Sequence, residues 1–99
     1  MKITINEKEY GLVWGLAAID RYCTLVDMEV EPAFDLVFKG SGIKQSVALA
    51  KFVSCAIESY SLLNHSDADV SYEQILSEFD TQGISLIQAI LSDFLQSRL

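Results

Sequence analysis

The sequence predicts a mostly α-helical domain of the α+β class, in which an N-terminal β-hairpin packs on a bundle of about five helices. Three observations predict it. Apolar residues alternate with polar ones over residues 2–14, they recur at intervals of three and four through most of residues 15–99, and 51% of the 99 residues are apolar. A chain of that composition buries enough surface to offset the entropy of ordering it, and its length suits one domain, residues 1–14 as hairpin and 15–99 as helices.

Ile3 and Ile5 share one face of a first strand, and Tyr10, Leu12 and Trp14 share a face of a second. Asn6-Glu7-Lys8-Glu9 between them reads as a four-residue polar loop. A lone two-stranded hairpin is marginal in water, so its apolar face must lie on helices. The first helix begins near Gly15 and runs out by about Met28, with Leu16, Ile19, Tyr22, Cys23 and Val26 inward and Asp20, Arg21, Thr24 and Asp27 outward. Pro32 suits the first turn of a short second helix whose inner edge is Phe34, Val37 and Phe38, and Gly40-Ser41-Gly42 ends it. Ile43 to about Leu63 is the most apolar segment, with Lys44, Lys51, Ser54, Glu58, Ser61 and His65 on one narrow stripe, as expected of a central helix buried on most sides. After the polar loop Asn64–Asp69, Ser71-Tyr72-Glu73-Gln74 is a capping box that opens a helix carrying Ile75, Leu76 and Phe79. Gly83 breaks that helix, and Ile84, Ile87, Ile90, Leu91, Phe94 and Leu95 mark a last one that reaches almost to Leu99.

Seven basic against 14 acidic residues leave a net charge of −7 with His neutral. A surface of that sign repels phosphate backbones and acidic membrane leaflets, so neither nucleic acid nor membrane is an expected partner. Cys23 and Cys55 are too few for a disulfide framework and sit among apolar residues, where free thiols pack as small hydrophobes in a reducing cytoplasm. The N-terminus lacks the apolar region of a targeting segment.

No constellation for catalysis or cofactor binding emerges. A thiolate–imidazole dyad needs His65, the single histidine; Cys55 is ten residues away and out of phase with it, which leaves Cys23 as its one candidate partner through the fold. One His and two Cys, without C-x-x-C or H-x-x-x-H spacing, fall short of a zinc set. Asp67-Ala68-Asp69-Val70-Ser71 resembles the opening of a calcium loop, with Glu78 at the twelfth position. Its sixth position, however, is Tyr72 where the turn needs Gly, so a solvated acidic loop is expected. The pairs Glu7/Glu9 and Glu29/Glu31 fall in turns and read as surface, and the glycines form no phosphate-binding pattern. The expectation is a non-enzyme with no metal and no cofactor.

The stretch from Ile3-Thr4-Ile5-Asn6-Glu7-Lys8-Glu9-Tyr10 through Trp14-Gly15-Leu16 to Tyr22 resembles the opening of the tail assembly chaperones of long-tailed bacteriophages and related prophages. In that family an "I-x-I-N-x-K-x-Y" hairpin leads through an aromatic-Gly-hydrophobic step into a helix. Gly11 is small where a larger strand residue is expected. The later layout is similar too, in the Ala-rich middle helix (Val47-Ala48-Leu49-Ala50), the polar loop and the Ser71-Tyr72-Glu73-Gln74-Ile75 helix start.

The resemblance implies a non-catalytic protein of the host bacterial cytoplasm that binds the tape measure protein and keeps it soluble while tail tube subunits assemble, with self-association along the tape. In the family a longer, frameshifted form recruits the tube subunit. The alternative, a small acidic inhibitor or regulator, requires clustered carboxylates, whereas Glu7, Asp20, Glu31, Asp35, Glu58, Asp69, Glu78 and Asp93 are spread over every element. For partner contact the sequence offers Leu91, Phe94 and Leu95 on the last helix, then Tyr10 and Trp14 at the hairpin exit; closing the domain's own core competes for each of them.

Overall fold

A computed structural model describes residues 1–65 and 69–97. Strands β1 (Lys2–Ile5) and β2 (Lys8–Gly11) form an antiparallel hairpin, followed by α1 (Leu16–Val26), α2 (Val30–Phe38), α3 (Gly42–Leu63), α4 (Tyr72–Gln82) and α5 (Ile84–Ser97). The α+β architecture with five helices is the one the periodicities predict.

The hairpin loop is shorter than expected. Ile5 pairs with Lys8, so Asn6 and Glu7 alone make the turn, with φ of 52° and 67°. Two consecutive left-handed residues match the right-handed twist of the strands, and Asn is among the residues that adopt that region most readily. Helix α4 holds the tip: the Asn6 N–H donates to Glu78 Oε2 (3.1 Å), and Gln82 Nε2 donates to the Thr4 carbonyl (3.1 Å).

Gly11 is buried against α3, where a Cβ would overlap the Tyr60 ring. The missing side chain is what lets β2 approach α3, and the Val13 N–H continues the contact by donating to the Ala56 carbonyl (3.2 Å). Gly11→Ala is expected to destabilise the fold by about 1–3 kcal/mol through overpacking, read by thermal unfolding. Tyr60→Leu should recover part of that loss; a Gly11→Ala variant as stable as the parent would show that Tyr60 swings aside freely.

Helix α1 ends two residues before the periodicity does. Asp27 takes a φ of 56°, its N–H bonds the Thr24 carbonyl, and the Met28 N–H reaches back to the Cys23 carbonyl, the pattern of a left-handed helix stop. At α4 the capping box forms as predicted, with the Gln74 N–H donating to Ser71 Oγ and the Ser71 N–H to Gln74 Oε1.

Helix α3 is the spine, packed by α1, α2, α4 and β2. Its most apolar window reaches a mean hydropathy of 1.3, enough with its length to cross a membrane, yet 56% of that window is buried among the other elements, as in a core helix. Three residues of its expected polar stripe differ from that reading: Lys51 is half-buried, Ser61 is buried and donates to the Glu58 carbonyl, and Ser54 is half-buried and donates to the Lys51 carbonyl. Donation back to a carbonyl one turn earlier lets a serine enter an apolar face.

Above α3 the core is aromatic. The Phe52 ring centroid lies 5.0 Å from those of Trp14 and Tyr22, 5.4 Å from Phe34 and 5.2 Å from Phe94, mostly in tilted or edge-on pairs. One cluster thereby joins the hairpin exit, α1, α2, α3 and α5. Tyr22, fully buried, donates its hydroxyl to the Ala33 carbonyl (2.7 Å), which satisfies the one polar atom it brings inside.

Candidate functional site

The structure divides the five residues offered for partner contact. Phe94 is 6% exposed and belongs to the aromatic cluster, and Trp14, half-buried, packs on Phe52 and Phe94 while its Nε1–H donates to Asp93 (2.6 Å). Tyr10 is half-buried and its hydroxyl donates to Asp69 (3.1 Å), with Lys8 Nζ 3.6 Å from the same carboxylate. That pairing holds the Asp69 carboxyl below its ordinary range. Leu91 is half-buried, and Leu95 alone stands mostly in solvent, 54% exposed. The inner face of α5 is centred on Leu86, Ile90 and Phe94, so Leu86, absent from the predicted stripe, is core while Ile84 is exposed.

Two further expectations about inner faces are corrected. Leu16 is 81% exposed, and Phe38 lies at the edge of the aromatic cluster, 39% exposed. Leu16 is the first residue of α1, a turn that nothing covers. Leu63, in phase with Ala56 and Ser59, is likewise 68% exposed because α3 runs on beyond its packing partners.

These helix ends make an apolar depression of about 240 Å³ between the start of α1 and the end of α3. Val13, Leu16, Ala17, Ala18, Leu62 and Leu63 are among the residues that line it. Arg21 closes it, donating from Nη1 to the buried Ser59 hydroxyl (3.0 Å), with Nε 4.0 Å from Glu58. Beyond Arg21 the same α1–α3 furrow widens into an open groove of about 530 Å³, walled by Leu25, Ser54, Cys55 and Glu58 and, from the α4 side, by Tyr72 and Glu73.

The chemistry-bearing residues are dispersed. Among the described residues no three His, Cys, Asp or Glu side chains converge as a metal would require. Asp67 and Ala68 of the calcium-like segment lie outside the described residues, and its twelfth residue, Glu78, is engaged by Asn6 and Gln82, which lower its carboxyl below the ordinary range. His65 lies beyond the end of α3, with a left-handed φ of 50°, outside the helix that carries Cys55.

Burial pushes the Cys55 thiol up to about 11 and the Tyr22 hydroxyl up to about 12, from ordinary values of 9.0 and 10.0. Both are acids that the fold keeps protonated while the unfolded chain releases the proton. Their contribution is complete below pH ~9 and is lost as pH rises through each folded value. Unfolding by urea is therefore expected at progressively lower concentration between about pH 9 and about pH 12; a midpoint flat across that window would show that the fold admits both anions.

Compared with known proteins, the chain matches no family model, no curated protein and no solved structure.

Proposed function

We propose that the protein is a non-catalytic tail assembly chaperone of a long-tailed phage or prophage, which binds the tape measure protein in the host cytoplasm and keeps it soluble while tube subunits assemble. One observation carries the reading: an acidic helical domain leaves Leu16, Leu62 and Leu63 together in solvent beside one depression, where an isolated exposed leucine would mean little. A partner with exposed apolar helical stripes is covered by such a surface, and the charge of −7 keeps the complex dissolved. The N-terminal residues that carry the family resemblance support the same reading, since they make up the hairpin and the start of α1. The acidic-inhibitor alternative gains nothing, because Asp69, Glu78 and Asp93 are engaged within the fold by Tyr10, Asn6 and Trp14.

The test is co-expression of the tagged chain with its neighbouring genes, followed by mass spectrometry of the eluate and light scattering. A soluble complex holding many copies of this chain per partner is expected. A partnerless monomer beside an insoluble coiled-coil protein would overturn the reading.

A further inference from the structure

We propose that two copies of this chain exchange α5: the break at Gly83 straightens, α4 and α5 run on as one helix, and the Leu86, Ile90 and Phe94 face of each copy's α5 seats on the aromatic cluster of the other. The inference does not depend on the chaperone reading.

A single residue separates the two helices, since α4 ends at Gln82 and α5 begins at Ile84. Gly83 keeps the helical bond from its N–H to the Phe79 carbonyl (2.9 Å), so the break lies in its own torsions, φ 76° and ψ −162°. Glycine enters that region without strain, whereas an alanine there is driven towards the helical region. The buried residues on either side are already in phase with one helix. At 100° per residue Ile75, Phe79, Leu86, Ile90 and Phe94 fall within an arc of about 100°, one unbroken apolar stripe. Straightened, that helix outgrows its own domain: residues 72–97 would span about 39 Å, against 31 Å for the longest dimension of the folded molecule. α5 would then project from the domain and uncover the cluster behind it.

The uncovered cluster defines its own occupant. Phe94 packs on Trp14, Phe34, Phe38 and Phe52, and Asp93 accepts the Trp14 Nε1–H at 2.6 Å, so the seat takes a helix that presents a phenylalanine beside a carboxylate. The α5 of a second copy remakes each of these contacts, which is why exchange of an identical element is a low-cost route to a dimer. The attachment of α5 suits it to exchange. Among the described elements its backbone comes close to α4 alone, and side chains tie it to the hairpin exit, α2 and α3. In dilute solution the tether through Gly83 favours a copy's own α5, and rising concentration favours the exchange.

The test refolds the protein from urea over a range of concentrations and weighs the product by light scattering. The parent is expected as a monomer when dilute, with a dimer appearing as concentration rises. A methyl group at Gly83 would meet no neighbour, so Gly83→Ala acts through the backbone alone. It should bring the dimer in at a concentration lower by about tenfold or more. Trp14 fluorescence and circular dichroism should match in monomer and dimer, because every seat is filled and every helix kept. Two parent samples with different tags should give mixed dimers when refolded together and none when mixed after folding. Dimer from neither chain, a dimer no more abundant with Gly83→Ala than without it, or mixed dimers formed equally well by folded copies would each overturn the exchange. If Gly83→Ala does not fold, the two-tag experiment on the parent decides alone.

Discussion

Phe52→Ala is expected to remove about 3–5 kcal/mol of stability. Phe52 is 1% exposed and stands on the central helix with four aromatic rings around it, drawn from the hairpin exit, α1, α2 and α5. Close packing on every side leaves those rings little freedom to collapse into the void, so the cavity persists and its lining loses dispersion contacts. A domain of this size has about 5–15 kcal/mol in total, so the variant should unfold at much lower urea or retain helix without fixed packing. Far-ultraviolet circular dichroism with Trp14 fluorescence separates these outcomes. Phe38→Ala is the control: its ring touches Phe34 and Phe94 but lies at the edge of the cluster, and about 1 kcal/mol is expected from its loss. Equal losses from the two variants would show that Phe52 is not the centre of the cluster.

Much of this fold is legible in the sequence, because periodicity reports which face of an element is apolar. The breaks at Gly40-Ser41-Gly42 and Gly83 and the capping box at Ser71 fall where they were expected. Periodicity does not report which turns of a face are covered. Leu16 and Leu63 are in phase with buried residues of their own helices, yet each lies at a helix end with no neighbour over it. Coverage is a property of tertiary lengths: α3 has 22 residues against 11 in α1, so its ends outrun its partner. The furrow was illegible for that reason. The hint available was the pair Leu62-Leu63, placed directly before the polar loop. Gly11 is the converse case, a residue that looks like a weak point in a strand until the Tyr60 ring is found over it.

The α5 residues give the second large effect. Phe94→Ser should cost about 3–5 kcal/mol, since it empties a site bounded by Trp14, Phe34, Phe38 and Phe52 and leaves a hydroxyl among rings. Leu95→Ser, one residue on and more than half exposed, should fall within about 0.5 kcal/mol of the parent. Urea unfolding of the two single variants measures the contrast directly, and equal effects would mean that α5 is rotated from the orientation described. The contrast also governs how α5 can be probed for partner binding. Binding lost with Phe94→Ser reports a damaged core, whichever face the partner uses, because α5 is anchored through that ring. Binding lost with Leu95→Ser reports contact, because the fold does not depend on that side chain.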